Sequence, residues 1–312
     1  MTEPWTEDDI PDQRGRTVLI TGANSGIGFE AARALAEHGA HVVLGCRNPA
    51  KAADAIEAIA ATDPAGSTEL LEMDLADLDS VAAAAESFLA SHDRLDVLVN
   101  NAGLMATPEQ RTAQGFEMQL GVNHLGHFAL TGHLLDVLLA SGPSRVVSIS
   151  SQGHRPGRIH TEDLGFEHGY SAWPAYFQSK LANLLFTLEL QRGFDAAGAE
   201  AIAVAAHPGA SQTNLGHESS GGVVGTLFSA ARRFEALVTQ SAAMGALPTL
   251  RAATDPDVVG DDYFGPDGLG EQQGHPVRVG RSARAQDLAM AHWLWGRSEE
   301  LTGVRYDALR PG

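Results

Sequence analysis

The chain has 312 residues, 44% of them hydrophobic, and a formal net charge of −18. That length can bury a full core without a staple, and the single cysteine, Cys46, excludes an intramolecular disulfide and fits a reducing compartment. The acidic balance and a 6% aromatic content exclude nucleic acid and an anionic membrane surface as partners, since both require a positive footprint.

Residues 1–14 are acidic, contain proline and have neither a basic start nor an apolar run. They read as a flexible tail, not a signal peptide. No stretch reaches the roughly 18 apolar residues of a membrane span, so a cytoplasmic protein without a membrane anchor is expected. Strands are predicted at 17–21, 41–44, 69–73, 96–100, 145–150 and 201–206. They alternate with alanine-rich helical stretches at 25–38, 50–61, 77–91, 112–140 and 174–195. This alternation predicts a doubly wound α/β fold, a parallel sheet with helices on both faces. The strands lack polar alternation, as a sheet buried on both sides requires. No linker divides 15–312, which is read as one domain. Two segments break the rhythm. Residues 152–170 read as a loop. Residues 210–250 turn from Gly/Ser/His-rich to apolar, with Val223, Phe228, Phe234 and Leu237, and predict a hydrophobic substrate lid.

Between the first strand and first helix, Thr21-Gly-Ala-Asn-Ser-Gly-Ile-Gly28 carries glycines at 22, 26 and 28. Glycine lets a pyrophosphate approach the backbone, where free N–H groups at a helix start face it. The spacing G-x-x-x-G-x-G suits either phosphate binding or a plain turn with close helix packing. The second strand ends Gly45-Cys-Arg-Asn48, with no acid to bond a ribose 2′-hydroxyl. Arg47 offers a fork for a 2′-phosphate, which favours NADP over NAD, unless it is an ordinary surface arginine.

Tyr176 and Lys180 are four residues apart on a predicted helix, hence neighbours on one face. A phenol has a pKa near 10, and a nearby cation lowers it; a shift of roughly three units takes about 4 kcal/mol. An incidental surface pair would show the same spacing. The fifth strand ends in Ser150 and Ser151, where a hydroxyl meets a ligand crevice. A serine nucleophile would want a G-x-S-x-G elbow, which Ile149-Ser-Ser-Gln-Gly153 lacks.

Taken in order, these pieces resemble the short-chain dehydrogenases/reductases, in their simple single-domain Rossmann-type branch, over nearly the whole chain after the tail. Gly-Cys-Arg-Asn-Pro-Ala-Lys51 and His207-Pro-Gly-Ala-Ser-Gln-Thr213 look most like retinol-dehydrogenase-like and carbonyl-reductase-like members. The resemblance implies a catalytic tetrad of Asn123, Ser151, Tyr176 and Lys180. Tyr176 would exchange a proton with the substrate oxygen and Ser151 would hold that oxygen. Lys180 would lower the tyrosine pKa and bind the nicotinamide ribose, and Asn123 would position a relay water. It further implies cofactor contacts at Gly22, Asn24, Ser25, Gly26, Ile27, Gly28, Arg47, Asn48, Asp74, Leu75, Asn101, Ala102, Gly103, Pro208, Gly209 and Thr213, beside Tyr176 and Lys180. The function implied is NADP(H)-dependent hydride transfer, with NAD as second choice, to or from a lipophilic alcohol or carbonyl compound. A dimer or tetramer is implied by analogy alone.

Rival readings are a reductase of an activated C=C bond, an epimerase or dehydratase, and a non-catalytic dinucleotide sensor. A sensor has no need of serine, tyrosine and lysine together. Among the histidines, His124 and His127 share a helix, and His154, His160 and His168 share a loop. No cysteine partner or H-E-x-x-H pattern accompanies them, so they read as packing or solvated residues and no metal site is expected.

Overall fold

Strands form where aliphatic runs can be buried from both sides. β1 (Thr17–Thr21), β2 (His41–Cys46), β3 (Ser67–Glu72), β4 (Val97–Asn100), β5 (Arg145–Ile149), β6 (Ile202–Ala206), β7 (Tyr263–Pro266) and β8 (Pro276–Arg278) build one sheet in the order 3-2-1-4-5-6-7-8. Pairing is parallel through β7, and β8 closes the edge antiparallel to it. The computed structural model describes residues 3–210 and 240–310.

Successive residues of each strand point to opposite cores. Val18, Ile20, Val42, Leu44, Val97 and Val99 pack with α1 (Gly26–Glu37), α2 (Pro49–Ala60) and α8 (Ala242–Thr254). Leu19, Val43, Leu98 and Val146 pack with α3 (Leu78–Ser91), α5 (Gly126–His133), α6 (Leu135–Ala140) and the long α7 (Ala172–Ala197). The result is a single α/β domain with a mostly parallel, Rossmann-type sheet, as expected.

Four departures from the expected elements have local causes. Residues 5–13 are not a free tail: Glu7 pairs with Arg33 at 2.8 Å, Ile10 is buried, and the Gln13 amide bonds the His38 carbonyl. The stretch 112–140 is not one helix. A bridge between Arg111 and Glu117 delays its start, and the Glu117 carboxylate caps the amides of Gln119 and Leu120 at 2.8 and 2.7 Å. Then follow α4 (Met118–Leu120), a π turn (Gly121–Leu125), α5 and α6. The lid expected over 210–250 ends inside α8, where Ala246, Leu247 and Leu250 are core residues; 211–239, with Val223, Phe228, Phe234 and Leu237, lie outside the described residues. β7, β8 and α9 (Leu288–Thr302) were not predicted at all.

Candidate active site

The residues expected to form the site gather at the carboxyl ends of β1, β4, β5 and β6, where open α/β sheets bind ligands. After β1 the chain turns with Gly22 at φ +67° and enters α1. A Cβ on Gly28 would stand 2.5 Å from Asn101 Nδ2 and 2.6 Å from the Gly22 carbonyl, and one on Gly22 would stand 3.0 Å from Ala102 Cβ. Only bare backbone fits between this turn and the β4 loop. Ser25, the N-cap of α1, makes no side-chain bond to the first-turn amides, which leaves them available to a phosphate. The shape and donor set therefore fit a dinucleotide pyrophosphate.

Thr21 ties the two loops together. Its hydroxyl oxygen accepts the amides of Asn101 and Ala102, each at 2.9 Å, while Asn101 Nδ2 donates to the Thr21 carbonyl at 2.8 Å. His127 Nε2 lies 2.8 Å from the same hydroxyl, and its Nδ1 lies 3.1 Å from the Asn123 carbonyl. A carbonyl can only accept, so Nδ1 carries the proton and Nε2 accepts from Thr21. Burial holds the His127 pKa down at about 4, which keeps the ring neutral and this pattern fixed.

Just past the end of β2, the side chain of Arg47 is 74% exposed and 3.9 Å from Asp74. Asn48 caps α2 by accepting the Lys51 amide at 3.0 Å. Asp74 accepts the Ala76 amide, and Leu75 is buried beside it. Cys46 lies below the turn, its thiol pushed up to about 11 by burial, so it stays protonated and unreactive.

The four residues expected to form a tetrad converge from three elements. Asn123 sits in the π turn. Its Nδ2 donates to the Leu104 carbonyl and to Ser179 Oγ at 2.9 and 2.8 Å, and its Oδ1 accepts the Leu104 amide at 2.7 Å. The side chain is thus engaged in joining the β4 loop to α7. Lys180 is buried and donates to the Ile149 carbonyl at 3.1 Å, a carbonyl shared with Asn183. Burial holds its pKa down at about 8. Its ammonium is 5.9 Å from the centre of the Tyr176 ring. Burial raises the Tyr176 pKa, and the Ser151 hydroxyl pulls it partly back. The net shift is upward, opposite to the lowering expected from Lys180, because burial of the phenol dominates.

The two serines separate cleanly. Ser150 is buried and donates to the Lys180 carbonyl at 2.8 Å. Ser151 accepts the Gly153 amide at 3.0 Å and faces the tyrosine.

The segment after β6 is held by residues that sequence reasoning missed. His207 Nε2 lies 2.9 Å from Glu271, which also takes bonds from Gln152 and from Arg155 at 3.1 Å. These donors hold the Glu271 carboxyl below its ordinary range, the hydrogen bond with His207 contributing most. Gln240 donates to the Pro208 carbonyl at 2.7 Å, and the Ala210 amide bonds Gln272 at 2.8 Å. Pro208 and Gly209 are so fixed beside the crevice; Thr213 lies outside the described residues.

Comparison with known proteins bears on this arrangement. The family described as short chain dehydrogenase matches residues 16–222. The chain belongs to that family. Retinol dehydrogenase 13 of Homo sapiens is 38% identical over 301 residues, 95% of this chain and 87% of the relative. Retinol dehydrogenase 14 of Mus musculus is 40% identical, over 93% of this chain and 86% of the relative. Among solved structures, an uncharacterized protein from Mycobacterium Paratuberculosis is 45% identical, with a TM-score of 0.81 and coverage of 97% and 99%. A protein described as an NAD(P)-dependent gluconate 5-dehydrogenase from Beutenbergia cavernae, with NADP bound at low occupancy, is 28% identical, with a TM-score of 0.60 and coverage of 78% and 92%. This short-chain dehydrogenase is an NAD(P)(H)-dependent oxidoreductase acting on alcohol or carbonyl groups. Among the described residues, no helix is long and apolar enough to cross a membrane.

Proposed function

We propose that this dehydrogenase interconverts a lipophilic alcohol and its carbonyl compound with NADP(H), using Tyr176 as proton donor and acceptor. The observation that carries the reading is the convergence of a crevice-facing Ser151 hydroxyl, a buried Tyr176 phenol and a buried Lys180 ammonium beside a glycine cradle. NADP(H), when bound, supplies or accepts the hydride. The chain holds and moves the proton. Burial raises the Tyr176 pKa, so the phenol is protonated at neutral pH and ready to donate to a carbonyl oxygen that Ser151 orients. In the reverse direction the phenol must lose its proton, and the Lys180 ammonium is the nearby cation that favours the phenolate. Asn123 is a positioning residue: it fixes α7, which carries Tyr176 and Lys180, against the β4 loop.

NADP is favoured by Arg47, an exposed guanidinium at the end of β2 where an acid would select NAD. A lipophilic substrate is supported by Trp173, half exposed and packed edge-on against the Tyr176 ring at 6.1 Å. Apolar surface thus borders the proton donor. A cytoplasmic setting accords with the single reduced Cys46.

Tyr176→Phe tests the reading. Turnover of NADPH against a panel of lipophilic aldehydes and ketones should fall by at least about 10²-fold, the ordinary worth of a positioned acid, with the NADPH dissociation constant unchanged. Near-normal turnover would sink the assignment.

A further inference from the structure

At the end of the sheet opposite the crevice, three side chains from separate elements point at one another. His41 opens β2, Glu69 lies within β3, and His92 caps the C-terminus of α3. His41 Nε2 and His92 Nε2 are 3.3 Å apart. Glu69 places one carboxylate oxygen 3.2 Å from His92 Nε2 and the other 3.6 Å from His41 Nε2. We propose that His41, Glu69 and His92 form a binding site for a divalent transition-metal cation of the zinc type, with solvent as the fourth ligand.

The ligand geometry supports this. A tetrahedral ion with bonds of about 2.0–2.1 Å holds its ligand atoms about 3.3 Å from one another; the two imidazole nitrogens are 3.3 Å apart, each has a different Glu69 oxygen at 3.2 or 3.6 Å, and one ligand atom from each residue lies within 4.8 Å of the others. Both rings are oriented from behind. His92 Nδ1 lies 3.2 Å from the Phe88 carbonyl, and His41 Nδ1 lies 2.8 Å from Ser67 Oγ. Since the carbonyl can only accept, the neutral His92 ring carries its proton on Nδ1 and turns a lone pair toward both the Glu69 carboxylate and His41. Electron-rich atoms so close repel unless a proton on His41 Nε2 or a cation lies between them. Such an imidazole, fixed by a backbone carbonyl behind it, has the outer-shell pattern of a metal ligand.

The surroundings favour a cation as well. The last turn of α3 has no basic residue, so its carbonyl end adds negative potential. His92 is held rigid by stacking on Phe88 at 4.5 Å. Glu69 is 44% exposed, which opens the site to solvent and to entry. Two imidazoles and one carboxylate suit zinc, cobalt, nickel or copper rather than magnesium or calcium. Bound there, the ion would pin α3 to the edge of the sheet and leave the reaction untouched. No sequence motif announces the site, because each ligand comes from a different element.

Tag-free protein freed of metal with a chelator, then titrated calorimetrically with zinc chloride, tests the proposal. One equivalent should bind with a dissociation constant of about 1–10 µM, weaker than four-ligand structural sites. His92→Gln and, separately, Glu69→Gln should weaken binding at least about tenfold, with NADPH turnover unchanged. Cobalt should give the visible absorption of a four-coordinate ion in the wild type and not in the variants. Circular dichroism of the metal-free variants confirms that they fold, and either variant alone suffices. Binding equal in wild type and variants, weak binding spread over several histidines, or no binding overturns the site and leaves a hydrogen-bonded His–Glu cluster.

Discussion

Around β1 and β4 the crevice is lined by backbone: glycines, first-turn amides, and a threonine hydroxyl that ties two loops. Around β5 and α7 it is lined by polar side chains. Lys180, Ser150, Ser179, Asn183 and Asn123 are all buried, and each is hydrogen-bonded to another element or helix turn. The first half receives a ligand by shape, which costs the fold little. The second half buries groups that water would solvate better, a burial that the proposed proton chemistry requires. Substitutions in the two halves should therefore differ in kind.

Lys180→Met gives the largest contrast. Turnover should fall by about 10²-fold or more, yet the protein should become more stable. Burial lowers the Lys180 pKa from 10.5 to about 8. Below pH 8 the ammonium is charged in both the folded and the unfolded chain, and the folded chain bears a desolvation cost of roughly 3 kcal/mol. Methionine removes that cost. The gain should be full at pH 7 and vanish as pH rises from 8 to about 10.5, where unfolded lysine also loses its proton. A thermal melt at pH 7 in which Lys180→Met is less stable would break the comparison.

The buried histidines extend the same logic to acid. Desolvation holds His124 at about 3, and His127 and His154 at about 4. The unfolded chain takes up protons below its histidine pKa of about 6.5, and the folded chain does not, so stability falls as pH drops from there toward 4. With all three titrating together the loss approaches about 4 kcal/mol per pH unit. Urea unfolding at pH 7, 6 and 5 measures this. His127 is the informative one, since it joins the two halves through Thr21. His127→Gln should flatten the acid loss by about a third and loosen the β4 loop.

Gly28→Ala probes the backbone half. Its Cβ would meet the Gly22 carbonyl and Asn101, neither of which can retreat without moving the turn. Overpacking of this kind costs about 1–3 kcal/mol. The KM for NADPH should rise at least about tenfold, with kcat changed less than about threefold. Equal losses in both would mean that the turn shapes the catalytic half too.

That division also explains what could be read from the sequence. The positions of the glycine turn, the Tyr176–Lys180 pair and Ser151 at one end of the sheet were legible because each is a local pattern on one strand end or one helix turn. The parallel core was legible from its aliphatic runs. Glu271, Gln240 and His127 were not, because their partners are distant in the chain: Glu271 reaches Gln152 and His207 across more than sixty residues. β7 and β8 escaped for a related reason. Tyr263-Phe-Gly-Pro266 is short and ends in turn-forming residues, and only its pairing with β6 and β8 makes it a strand.

Arg47 carries the smallest expected effect and the finest distinction. Its guanidinium is paired with Asp74 at 3.9 Å, but an exposed pair of that length is worth at most about 1 kcal/mol. The arginine is therefore free to turn to a doubly charged 2′-phosphate, where its planar fork makes two bonds at once. Asp74 then works against the phosphate, so the net preference is modest. Arg47→Ala should weaken NADPH by about tenfold and leave NADH within about twofold. Asp74→Asn should tighten NADPH slightly by removing a competing charge. Raising salt should erode the NADPH preference of the wild type, because the site is open to solvent. If fluorescence titration finds equal losses for both cofactors, Arg47 is a surface residue, and selection between them must be sought in the backbone half itself.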